Sequence, residues 1–125
     1  MLTEKILHKT ICKYIKLQYP KVIFITDGSG LRVSIGEAKR LKQLRSSNGI
    51  PDIIIFKPSE YYHGLFLEVK TKRPYKKDGD LFSNEHLQEQ SNMINRLMGL
   101  GYYAKFVWSF NQATKIIDDY MNNYN

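Results

Sequence analysis

Two apolar runs that mirror each other across a polar insert constrain the fold of this chain more than any other feature. Ile53-Ile54-Ile55-Phe56 precedes the insert at 57–62, and a run from His63 that ends in Leu67-Glu68-Val69-Lys70 follows it. The insert holds a proline and a serine between polar ends, so it reads as the turn of a β-hairpin. A hairpin symmetric about Glu60 pairs residues whose numbers sum to 120, so Phe56 faces Gly64, Ile54 faces Phe66 and Asp52 faces Glu68. Side chains alternate along a strand, which puts Ile53, Ile55, Leu65, Leu67 and Val69 on one face and Ile54, Phe56 and Phe66 on the other. A strand pair apolar on both faces belongs inside a fold, under helices.

The rest of the chain supplies those helices. Periodicity predicts a helix over 3–17 and a short strand over 22–26, which runs into the turn formers Asp27-Gly28-Ser29-Gly30. A basic segment at 36–45 has the length of a short helix, and Ser46-Ser47-Asn48-Gly49 breaks it. After Lys70 come a loop at 71–80, a helix over 83–100, a strand over 102–108 and a last helix over 112–122. The order is αβββαβ with an added C-terminal helix. With 125 residues, no internal repeat and no linker, residues 1–125 form one domain with a core of its own. No apolar run approaches a membrane span, and Met1-Leu2-Thr3-Glu4-Lys5 lacks a signal-peptide core, so a cytoplasmic address is expected. The single cysteine, Cys12, has no partner for an internal disulfide and falls in the first helix as a small apolar filler.

The hairpin register makes Asp52 and Glu68 cross-strand neighbours, roughly 5 Å apart at Cβ. Lys70 points to the same face. Such a trio also occurs on solvated surface hairpins, where it does nothing. Here apolar residues surround it, and two carboxylates that close repel each other while burial raises the cost of charging them. A divalent cation removes both problems, and hard carboxylate oxygens suit Mg²⁺ or Mn²⁺. Such an ion would hold a phosphate oxygen and acidify a bound water, with Lys70 orienting the nucleophile or neutralising developing charge. The pattern points to phosphodiester hydrolysis.

Two further polar residues fall where the helices turn inward. Glu4 ends the stripe Leu7, Ile11, Ile15, and Gln90 shares a stripe with Leu87, Ile94 and Leu97. A first-turn Glu also suits a helix dipole, and an inward Gln also suits a sheet-edge cap. The net charge of +7 favours a polyanionic partner. Two basic clusters are placed to grip it: Lys39, Arg40, Lys42 and Arg45 before Asp52, and Lys72, Arg73, Lys76 and Lys77 after Lys70, where Tyr75 is set to stack on a base. The stripe Lys5, Lys9, Lys13, Lys16 reads as a solvated face. His8, His63 and His86 have no regular ligand spacing and read as surface or turn residues, and Gly28-Ser29-Gly30 lacks the continuation of a phosphate-binding loop, so no nucleotide cofactor is expected.

Taken together, Glu4, Gly49-x-Pro51-Asp52, Glu68-x-Lys70 and Gln90-x6-Leu97-x3-Gly101 resemble the VRR-NUC domain, a branch of the PD-(D/E)xK nuclease superfamily, over almost the entire chain. It looks most like the short standalone phage-type members. The resemblance implies an α/β fold with a restriction-endonuclease-like αβββαβ core, its mixed four-stranded sheet flanked by helices. It implies that Asp52, Glu68 and the Val69 backbone carbonyl hold Mg²⁺ or Mn²⁺, that Lys70 is the catalytic lysine, and that Glu4 and Gln90 complete the site. The chain departs from the family where a Leu-Ser pair usually precedes the glutamine: His86 and Leu87 stand there, and Gln88 is the fallback to Gln90. The activity implied is a metal-dependent endodeoxyribonuclease selective for branched, flapped or Holliday-junction DNA in phage replication or repair, in the host cytoplasm. Junction cutting needs two sites, so a homodimer is expected, with Ile116, Ile117, Tyr120, Met121 and Tyr124 of the last helix serving either an interface or the core. A non-catalytic nucleic-acid-binding module, an RNA-directed nuclease and a restriction-type nuclease are the alternatives.

Overall fold

The computed structural model describes residues 2–26, 34–46 and 49–123. Its elements run α1 (Glu4–Gln18), β1 (Phe24–Thr26), α2 (Ile35–Leu44), β2 (Ile53–Ile55), β3 (Leu65–Val69), α3 (Glu85–Gly99), β4 (Tyr103–Val107) and α4 (Phe110–Asn123). The four strands form one mixed sheet in the order β1-β2-β3-β4, antiparallel except for the parallel β3–β4 pair. The hairpin register is the one expected, with Ile53 opposite Leu67 and Ile54 opposite Phe66. The turn formers Asp27-Gly28-Ser29-Gly30, the breakers Ser47 and Asn48, and Tyr124 lie outside the described residues.

One sheet face is covered by α1 and α4. Thr3 caps α1 by accepting from the Ile6 N–H at 3.1 Å, and Leu7, Ile11 and Ile15 recur at intervals of four to form its buried stripe. They pack with Ile53, Ile55, Leu65, Leu67 and Val69 and with Ala113, Ile117, Tyr120 and Met121 of α4. Burial of each large aliphatic side chain here contributes about 1.5–3 kcal/mol, which makes this layer the main source of stability. Three hydroxyls lock it. Tyr14 donates to both Asp118 carboxylate oxygens, Tyr19 donates to Oδ1, and Tyr120 donates to the Lys57 carbonyl at 2.6 Å. Burial and the Asp118 carboxylate push the Tyr14 hydroxyl up to about 12 and raise that of Tyr19 as well. The apolar side of α4 is therefore spent within the monomer.

The other face is covered by α3. Asn84 caps it by accepting from the Leu87 N–H at 3.0 Å, and Met93, Ile94 and Leu97 pack on Phe66, Ala104 and Phe106. The helix ends at Gly101, whose φ of +95° suits glycine alone and whose Cβ, if present, would lie 2.7 Å from the His63 ring. Three boundaries depart from the pattern-based expectation. β1 spans three residues because the Val22 N–H turns back to the Tyr19 carbonyl and only the Ile23 carbonyl, accepting from the Phe56 N–H at 2.9 Å, continues toward β2, α4 starts at Phe110 because Ser109 caps it through the Gln112 N–H, and α2 forms with no buried residue.

Candidate active site

The site begins where the β2–β3 ladder stops. Continuing the observed register puts Pro51 opposite Val69, and proline has no N–H to donate, so the bond that the Val69 carbonyl would take from residue 51 cannot form. The Val69 N–H turns instead to a side chain, donating to Asp52 Oδ2 at 2.8 Å. Gly49 makes this approach with φ of +85°, close under Glu89 and Met93 of α3. The Gly-x-Pro-Asp string thus has a mechanical reading: glycine turns the chain in, proline ends the ladder, and aspartate takes over one of its partners.

Glu68 lies beside this break and is 4% exposed. Its side chain points to the α3 side of the sheet, where Gln90 is 7% exposed. The Gln90 amide nitrogen lies 3.2 Å from His86 Nε2. The Gln90 Oε1 atom is buried with no hydrogen-bond partner, a state shared among the described residues with His8 Nε2. An acceptor left this way costs on the order of 1–3 kcal/mol and is retained where a ligand or water completes it.

Lys70 carries the chain out of the sheet, its N–H still donated to the Val107 carbonyl at 2.8 Å. Beyond it opens a cavity of about 570 Å³, lined by Glu4 from α1, by Lys70, Lys72 and Arg73, and by Phe82, Asn84 and His86 at the start of α3. The N-termini of two helices and three cations surround this space. Their combined partial and full charges favour an anion such as phosphate.

The expected site residues divide by position. Glu4, Lys70, Lys72 and Arg73 share the cavity, Asp52 and Val69 are directly bonded, and Glu68 and Gln90 are buried on one side of the sheet. Glu4 is exposed in the first turn of α1 rather than tucked under its apolar stripe, because burial along the helix begins only at Leu7. Lys76 and Lys77 are exposed at the tip of a small hairpin closed by the Tyr75–Leu81 bridge. Tyr75 itself is half-buried, its ring edge-on to Phe106 and Trp108. Lys39, Arg40, Lys42 and Arg45 are exposed on or just after α2, with Arg40 paired to Glu37 at 3.5 Å, and none of them lines the cavity. Gln88 is exposed and bonded to Asn92, so placement favours Gln90. His86 is exposed, as expected from sequence, and it also lines the cavity and contacts Gln90. The signal was its spacing of four from Gln90 on one helix face.

Among the described residues, no three His, Cys, Asp or Glu side chains converge to hold a metal ion by themselves. The donors present are the Asp52 and Glu68 carboxylates and the Val69 carbonyl. Hard oxygens few in number fit an ion that keeps several waters, as Mg²⁺ and Mn²⁺ do, and do not fit a thiolate or imidazole metal.

The four-stranded mixed sheet flanked by helices, with a polar cavity near the end of β3, defines an α/β fold. No family model matches the chain, and no curated protein matches its sequence. Among solved structures the chain is similar in fold to a VRR_NUC domain protein, with a TM-score of 0.67 and 22% identity over 97% of this chain and 89% of that one. The fold expected from sequence is therefore the fold present. No described helix is long and apolar enough to cross a membrane.

Proposed function

We propose that the chain is a nuclease of the VRR-NUC type that hydrolyses phosphodiester bonds in DNA with Mg²⁺ or Mn²⁺. The observation that carries this reading is the ladder break at Pro51, which sets Asp52, Glu68 and the Val69 carbonyl at the end of β3, beside a cavity lined by Lys70, Lys72 and Arg73. Asp52, Glu68 and the Val69 carbonyl would hold the ion, which supplies charge neutralisation at the phosphate and a more acidic water. Lys70 stabilises charge that builds on the phosphoryl oxygens or orients the attacking water. Lys72 and Arg73 bind flanking phosphates, and Glu4 faces them across the cavity as a hydrogen-bond acceptor. Gln90, buried and held by His86, offers its free oxygen to a water or to the substrate.

The preferred substrate in this reading is branched or flapped DNA, because an open cavity beside the sheet end admits a strand that has left a duplex. A two-fold dimer would present two such sites to a junction. The fold likeness supports a nuclease, and the cations support a polyanion.

The test is cleavage of labelled duplex, flap, four-way junction and RNA with Mg²⁺, Mn²⁺ or EDTA, alongside Asp52→Asn and Lys70→Ala. Cleavage should need the metal and fall at least about 100-fold in each variant. Cutting that persists in EDTA or in both variants ends the metal-nuclease reading. Binding without cleavage by the wild type in either metal supports a non-catalytic binding module, and equal rates on linear duplex and junction remove structure selectivity.

A further inference from the structure

Strand β4 closes one side of the sheet, and its outer edge is partly capped by side chains. In the parallel ladder its odd-numbered residues bond to β3, as the Tyr103 N–H to the Gly64 carbonyl and the Lys70 N–H to the Val107 carbonyl show, so its even-numbered groups face outward. Three of these groups are capped by side chains. The Ala104 N–H donates to Met98 Sδ at 3.2 Å, the Phe106 carbonyl accepts from Gln112 Nε2 at 3.2 Å, and the Trp108 N–H donates to Gln112 Oε1 at 2.9 Å. An added β-strand, from a peptide or from a second copy, would have to displace both caps.

Beside this partly capped edge lies a groove of about 280 Å³, lined by Tyr75, Tyr103, Lys105, Phe106, Trp108, Gln112 and Ile116 and holding no acidic residue. Tyr75 and Trp108 are half-buried and meet edge to face, with ring centroids 6.2 Å apart, and the exposed Lys105 ammonium lies 5.4 Å from the Tyr103 ring centroid. Tyr75 belongs to the same loop as Lys72 and Arg73, which line the cavity described above. The loop therefore carries phosphate-binding cations toward one opening and an aromatic wall toward the other.

We propose that the β4 groove binds an unpaired nucleobase of the strand that leaves the Lys70 cavity, its base against Tyr75 and Trp108 and its phosphate near Lys105. Aromatic rings with an adjacent cation and no acidic residue match a base, which stacks on rings and carries its charge outside them. A peptide strand needs the backbone groups that Met98 and Gln112 occupy. The proposal rests on the nucleic-acid reading of the chain and gives it a substrate feature, unpaired nucleotides next to the cleavage site.

Trp108 is the one tryptophan in the chain, so its fluorescence reports on the groove. The experiment titrates the full chain, in EDTA to prevent cleavage, with a thymidine hexanucleotide and with an abasic oligonucleotide of equal length and phosphate count. The expected result is saturable quenching by the thymidine strand, about tenfold weaker binding of the abasic strand, and weakened quenching in Lys105→Glu, whose exposed side chain is not needed for folding. Absence of quenching, or equal quenching by the abasic strand, overturns the groove assignment. Because no step requires hydrolysis, quenching without cleavage in a parallel Mg²⁺ assay would retire only the nuclease reading, and cleavage without quenching would retire only the groove.

Discussion

Gln90 shows at the scale of one residue how stability and function separate. Its amide oxygen is buried and unpartnered, so an apolar side chain of similar size removes a desolvation cost. Gln90→Leu should melt at the wild-type temperature or above it in a thermal denaturation followed by circular dichroism, while DNA cleavage falls about 10- to 100-fold. Asp52 divides differently, because its carboxylate also holds the Val69 N–H. Asp52→Asn keeps an acceptor for that donor, whereas Asp52→Ala leaves it unpaired and should cost about 1–3 kcal/mol in a urea melt. Both should lose cleavage. The candidate residues were legible in the chain, since a buried Glu68 beside a half-buried Asp52 at a strand end calls for a compensating charge. Two things were not. The meeting of His86 with Lys70 and Arg73 around one cavity depends on how α3 packs on the sheet, and the exposure of Glu4 depends on where the buried stripe of α1 begins, at Leu7.

Among elements, the α1–α4 contact carries a pH signature. The Tyr14 and Tyr19 hydroxyls both donate to Asp118, and burial together with that carboxylate raises each above its ordinary value near 10, that of Tyr14 to about 12. A raised folded-state value means that the neutral hydroxyl is favoured in the folded chain. Its contribution is fully present below the unfolded value and is lost as pH climbs through the folded one. Stability should therefore be flat with respect to these groups below pH 10 and decline from there to about pH 12 and beyond, and Tyr14→Phe should flatten the first part of that decline in an alkaline titration followed by circular dichroism. Gly101 sets a second limit on packing. Gly101→Ala forces a side chain into positive φ and into the His63 ring, and should cost about 1–3 kcal/mol in the same melts. Helix and strand identities followed from periodicity, and their ends did not. The early start of α4 comes from Ser109 and Gln112, which cap and cover backbone groups beyond the reach of an apolar pattern.

For the whole molecule the decisive quantity is the distribution of its +7 charge. Lys72 and Arg73 face the cavity, so Lys72→Ala should lower the slope of log affinity against log salt by about 1, and Lys39→Ala on the exposed α2 tests whether that helix reaches the same DNA. A fluorescence-anisotropy titration at several salt concentrations reads both slopes. Sedimentation of the chain alone and with junction DNA tests the proposed dimer. Because Ile117, Tyr120 and Met121 are consumed in the core, any interface must be built from other surfaces.

What the chain determined by itself is the hairpin. Alternation, a symmetric turn and apolar residues on both faces allow one register, and a slip of one residue would exchange the two faces. That register alone set Asp52 opposite Glu68 and ruled out a ladder bond from Pro51. What only the tertiary structure decided is which distant groups meet there: Glu4 and His86 around one cavity, a Gln90 oxygen and a Glu68 side chain both buried, and Gln112 folded over the outer edge of β4. The physical reason is range. Strand register follows from neighbours a few residues away, whereas the convergence of helix ends depends on how whole layers pack, and no local pattern encodes that.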